Sequence, residues 1–152
     1  MTYFSFLVAA STMASNPKIE CQCGTISLVA PIPKPTKVFV CHCLECRKQS
    51  SSAFGISALF PADGIWPFPE HLEPYIGVWT RKTDAGNTTH CYFCKKCGVR
   101  ILHRGILANG QEKPGVRVRG GCLEGITLEG ATHIWTRSAL VPVPEGSALG
   151  EP

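Results

Sequence analysis

Three cysteines crowd residues 38–48, Val-Phe-Val-Cys41-His-Cys43-Leu-Glu-Cys46-Arg-Lys, within six consecutive positions at the end of an apolar run. Hydrophobic packing has no use for that spacing, whereas a metal ion does, because several thiolates can reach one zinc at about 2.3 Å each. Two more groups fit the same logic. Cys94-Lys-Lys-Cys97-Gly98 has the form of a zinc knuckle, two thiols around a tight turn closed by glycine, and Cys21-Gln-Cys23 pairs two thiols one residue apart. A knuckle supplies two ligands and needs a second pair. Adding the trio would give five ligands, one too many for tetrahedral zinc. Adding Cys21 and Cys23, expected on a strand whose alternate residues share a face about 6.6 Å apart, gives four. Cys21, Cys23, Cys94 and Cys97 are therefore expected to close a structural zinc site. Cys41, Cys43 and Cys46 remain for a second zinc with one position open, which is the mark of a catalytic metal. The alternatives are a second structural site completed by Cys91, Cys122 or a histidine, or a trio of ordinary buried cysteines.

Nine cysteines is an odd number, so a closed disulfide framework would leave one thiol over. A bridge inside a Cys-x-Cys pair would also close a short strained ring. A chain of 152 residues can bury a core without such staples. These points favour a reducing compartment, the cytoplasm, and two zinc ions per chain. The formal charge of +4 counts the thiols as neutral, and seven thiolates on two zinc ions bring it down to +1. That balance gives no support to nucleic-acid or membrane-surface binding. The apolar run in residues 3–10 is too short to span a bilayer and lacks the basic segment of a secretory signal. It is read as part of an N-terminal extension, residues 1–16.

The rest of the chain reads as one domain, residues 17–145, followed by a tail, 146–152. Alternation in 18–30 around Gly24 signals a hairpin, prolines at 31, 33 and 35 force an extended link, and 36–40 is a strand delivering Cys41. Residues 44–49 make one or two helical turns, and 53–60 is a buried strand. Pro61, Gly64, Pro67, Pro69 and Pro74 mark a long loop that Trp66 and Phe68 pin to the core. Strands are expected at 75–80 and 88–93 across a turn at 84–87, then at 99–103, 116–119 and 132–136. The total is about eight short strands and one short helix.

The segments Cys21-Gln-Cys-Gly24, Phe39-Val-Cys-His-Cys-Leu-Glu-Cys-Arg-Lys48, Ser52-Ala-Phe-Gly55, Phe93-Cys-Lys-Lys-Cys-Gly98 and His133-Ile-Trp135 together resemble the glutathione-dependent formaldehyde-activating enzyme family, which includes centromere protein V. The resemblance covers about Glu20 to Trp135. It implies a mainly β, single-domain β-tent of short antiparallel strands, with the structural zinc on Cys21, Cys23, Cys94 and Cys97 and the catalytic zinc on Cys41, Cys43 and Cys46. The implied activity is a carbon-sulfur lyase, with glutathione as co-substrate and a small carbonyl compound such as formaldehyde as partner. The alternatives kept beside it are a zinc lyase, hydrolase or isomerase acting on another small molecule, and a non-catalytic zinc-stabilised binding module.

Around the trio, His42 lies between two ligands and on a strand would point away from the metal. Glu45 could face the open position or solvent. His133 and Trp135 could line the pocket or belong to the core, with the core favoured; Arg47 and Lys48 could attract a glutathione carboxylate, with a solvated basic turn favoured; Cys91 and Cys122 are expected as small buried side chains.

Overall fold

The computed structural model describes residues 15–150, so the apolar run of residues 3–10 lies outside the described residues. The fold is the mainly β architecture expected: nine strands and one short α-helix, with short 3-10 turns between them. Strands β1 (Lys18–Glu20) and β2 (Ser27–Val29) form a hairpin. The others are β3 (Lys37–Cys41), β4 (Gly55–Pro61), β5 (Ile76–Lys82), β6 (Thr88–Cys94), β7 (Arg100–Ile106), β8 (Glu112–Arg119) and β9 (Thr132–Ile134). They make one sheet in the order β5-β6-β7-β8-β4-β3-β9. All its pairings are antiparallel except β3 with β9, which run parallel with Cys41 opposite Ile134. Helix α1 (Leu44–Ser50) bridges β3 and β4, and Ser51 ends it in the left-handed conformation with φ 49°.

The sheet uses both faces. Alternation along β8 sends Val116 and Val118 to one side, where they meet Ala58 and Phe60 of β4 and Leu102 of β7 in the hydrophobic core. The hairpin closes this side with Ile19, Ile26 and Leu28, tied on by a bridge from Ile19 to Leu123. The long loop does likewise. Trp66 and Phe68 pack on Tyr92 with ring centroids 4.7 and 5.3 Å away, and Leu72 follows on a 3-10 turn, Glu70–Tyr75. Arg117 and Arg119, the alternate residues of β8, point to the opposite face together with Ser57 and His103, and there the sheet forms a cleft rather than a solvated surface.

Three details differ from expectation. Cys21 and Cys23 are not on a strand: β1 stops at Glu20, and the two thiols sit in the turn that follows. Strands β7 and β8 extend further than their apolar cores indicate and meet through a turn at residues 107–111. The tail folds back, with the Trp135 amide donating to the Gly150 carbonyl at 2.9 Å and Thr136 to Ala148. No helix among the described residues is long and apolar enough to cross a membrane.

Phe60 is completely buried where the hairpin, β4 and β8 meet. Phe60→Ala is expected to cost about 3–5 kcal/mol, seen as a lower urea midpoint at unchanged slope. A loss under about 1 kcal/mol would contradict this packing.

Candidate metal centres and cleft

The structure gathers the seven sulfurs into two groups, Cys21, Cys23, Cys94 and Cys97 in one and Cys41, Cys43 and Cys46 in the other, each with its ligand atoms within 4.8 Å of one another. A tetrahedral zinc with sulfurs at about 2.3 Å requires sulfur pairs about 3.8 Å apart. Cys21 and Cys23 stand at 3.6 Å and Cys23 and Cys94 at 3.8 Å, far beyond a disulfide bond and close to that requirement. All nine cysteines are free thiols, and both groups could hold a metal ion.

Two turns of similar construction make the four-sulfur group. Gly98, at φ 77°, lets its amide reach back to the Cys94 carbonyl at 2.8 Å, and Gly24, at φ 73°, does the same to Cys21 at 3.0 Å. The amide of Ile26 also points at the Cys21 sulfur, 3.3 Å away. Gly24 thus does for the first pair what Gly98 does for the second. This is why a turn rather than a strand presents Cys21 and Cys23. Thr25 sits 3.3 Å from the Cys23 sulfur and, with its backbone amide, pulls that thiol down to about 6.

In the three-sulfur group, β3 delivers Cys41 from the sheet and the first turn of α1 supplies the rest. Cys43 is the N-cap, its sulfur accepting the Cys46 amide at 3.3 Å, so a cap and a residue three positions on converge beside Cys41. The Cys43 thiol is pushed down to about 2, because Cys41 and Cys46 both donate to its sulfur, and Cys41 is raised in return. Gln49 donates to the Cys46 sulfur at 3.4 Å and is itself held by Arg100 at 3.3 Å.

The trio opens into a cleft of about 460 Å³ whose walls include Phe39, Ser57, His103 and Trp135. The cleft is basic: Arg81, Arg117, Arg119 and Arg137 line it against Glu45 and Asp84. Arg119 is the residue that sequence patterning misses. It is only 8% exposed, yet it sits at a position of β8 that alternation assigns to a polar outer face. Its guanidinium donates to Ser57 at 2.6 Å and lies where a Cβ on Gly55 would come within 2.5 Å of it. Gly55, in the Ser52-Ala-Phe-Gly55 segment, is the one sequence sign of this close approach.

Other candidates fall outside the cleft. His42 is fully buried and turned away from the trio, its Nε2 3.0 Å from Nδ1 of His133. Arg47 donates to the Ser138 carbonyl and Lys48 pairs with Glu45, so neither basic residue of the turn lines the cleft. Trp135, expected in the core, instead walls the cleft. Cys91 and Cys122 are buried and belong to neither sulfur group. His103 is almost wholly buried, and its Nε2 has no hydrogen-bond partner among the described residues. Burial first, then the neighbouring arginines, holds its pKa well below the usual histidine range.

A family model described as glutathione-dependent formaldehyde-activating enzyme matches residues 16–138. No curated protein matches the chain.

Cys94→Ala is expected to bind one metal ion fewer than wild type and to lower Tm by at least about 10 °C, because metal binding at a closed site would be folding energy. Cys43→Ala should also lose one ion, with a smaller change in Tm; equal melting of the two variants would remove the distinction between the sites. His103 yields a pH dependence. The unfolded imidazole takes up a proton near 6.5 and the folded one only well below that, so its contribution is complete above about 6.5 and lost as pH falls. Urea titrations between pH 7.5 and 5.5 should show a shallower slope in His103→Gln; an unchanged slope would contradict the buried neutral imidazole.

Proposed function

We propose, for a chain that belongs to the glutathione-dependent formaldehyde-activating enzyme family, that it is a zinc-dependent carbon-sulfur lyase joining glutathione to a carbonyl compound reversibly. The observation that carries this reading is the asymmetry of the two sulfur groups. Four sulfurs enclose one position, whereas three face a cleft with no fourth ligand drawn into their group among the described residues. Cys21, Cys23, Cys94 and Cys97 hold the structural zinc in this reading, and Cys41, Cys43 and Cys46 the catalytic one. Zinc at the trio, when bound, supplies a position at which a thiol gives up its proton.

The chain's own residues do the rest. Arg81, Arg117 and Arg137 offer cations to the carboxylates of glutathione from different walls of the cleft. Glu45 and Asp84 are its two carboxylates and the candidates to receive the thiol proton. Phe39 and Trp135 narrow the space and hold sulfur and carbonyl carbon together, which converts an encounter in solution into a step within one complex. In that step a carbon-sulfur bond forms, the carbonyl π bond breaks, and the proton ends on oxygen, giving a thiohemiacetal. Nine free thiols suit a reducing compartment, and we place the protein in the cytoplasm.

One observation favours a larger carbonyl compound than formaldehyde. A second depression of about 430 Å³, lined by Leu59, Phe60, Gly105 and Gly115, shares His103 and Arg117 with the cleft. An apolar substituent extending from the reacting carbon would find room there.

NMR exchange spectroscopy on glutathione and formaldehyde tests the activity. Wild type is expected to accelerate thiohemiacetal exchange and Cys43→Ala to return it to the rate without protein. Exchange no faster with wild type than without it would reject formaldehyde as substrate, and the same result with longer aldehydes would reject the lyase reading.

A further inference from the structure

Arg119 is a buried cation without an acid. Burial disfavours its charge, and its guanidinium shares with Cys46 the space that a side chain on Gly55 would fill. No carboxylate pairs with it among the described residues, whereas Arg104, the other buried arginine, has Glu112. Leaving a guanidinium charged inside a protein is costly unless an opposite charge faces it. Three thiolates on a divalent ion carry a formal charge of −1, which is the charge this guanidinium lacks. Its placement is built rather than incidental: Ser57 anchors one nitrogen at 2.6 Å, and the missing side chain of Gly55 gives the other room beside Cys46.

We propose that Arg119 is the positioning residue that keeps the trio and its metal electrically neutral, so that the open position selects an anionic fourth ligand, a thiolate, over a neutral one. This inference rests on the thiol-binding reading above. With Arg119 in place, a thiolate brings the centre from neutral to −1; without it, the same ligand would bring −1 to −2 in a partly enclosed cleft. A thiol must therefore surrender its proton to solvent at a higher pH when Arg119 is uncharged or absent. The remaining charges of the cleft, Glu45 and Asp84 against Arg81, Arg117 and Arg137, do not differ among the variants below, and His103 is neutral.

The test uses cobalt-loaded full-length protein and 2-mercaptoethanol, a thiol without carboxylates, so that the other arginines have nothing to hold. The visible spectrum is followed as a function of pH for wild type, Arg119→Lys, Arg119→Gln and Arg119→Met, the last filling similar volume with neither charge nor polar atoms. The spectrum of the four-sulfur site should stay constant throughout. The midpoint for thiol binding is expected to rise by about one pH unit or more in the Gln and Met variants and to return toward wild type with Lys. Equal midpoints in wild type, Gln and Met would overturn the proposal and leave the thiol-binding reading intact. Absence of any spectral response in wild type would remove both. If the Gln and Met variants lose cobalt from the trio while Lys retains it, the trio requires the cation and the proposal stands. Loss from all three would show that shape rather than charge matters, and the proposal would fall.

Discussion

The convergence of four sulfurs on one point joins the N-terminal hairpin to the end of β6, adding to its packing on the core. The hairpin of β1 and β2 contributes three strand residues per side and could not stand alone. Its turn carries two sulfurs to the knuckle after β6, and the contact of Ile19 with the core completes the closure. A metal held by four thiolates there would supply apparent binding energy on the order of 10 kcal/mol, comparable to the net stability of a whole domain. The hairpin and the knuckle at the end of β6 would then become one unit.

The second group is built differently, and the difference bears on chemistry. A closed four-sulfur site requires only that two turns meet. The trio sits on a strand end and a helix cap, one side in the sheet and the other open to a cleft. That cleft exists because the sheet has two used faces. On β8 each valine enters the core and each intervening arginine enters the cleft, so one strand supplies both the core and a wall of the cleft. The cost is a set of buried polar groups, Arg119 and Ser57, which partner each other, and His103, whose Nε2 has no partner among the described residues.

Much of this was legible in the residues. The grouping of the cysteines followed from ligand counting, and the hairpin, the strand leading to Cys41, the short helix and the aromatic loop followed from alternation and breakers. The knuckle glycine was legible too, since Gly98 directly follows Cys97. Its counterpart Gly24 was visible but was read only as a break in a strand pattern. The parallel partner of β3 could not be anticipated, because a three-residue strand far along the chain carries no mark of which edge it will join. Arg47 and Lys48 lie outside the cleft, in keeping with the solvated basic turn favoured for them, because the helix turns both away from it.

Local chemistry is written in local spacing, and so the sequence alone determined the sulfur sets, the periodicity of the strands and the turns that present the ligands. Which arginines line the cleft beside the trio was decided only by the tertiary structure. Arg81 on β5, Arg117 and Arg119 on β8 and Arg137 on the 3-10 turn after β9 come from three parts of the chain and line one cleft, where the missing side chain of Gly55 makes room for Arg119. A charge becomes meaningful to a metal site through its distance and its burial, and both are properties of the assembled sheet rather than of any stretch of residues.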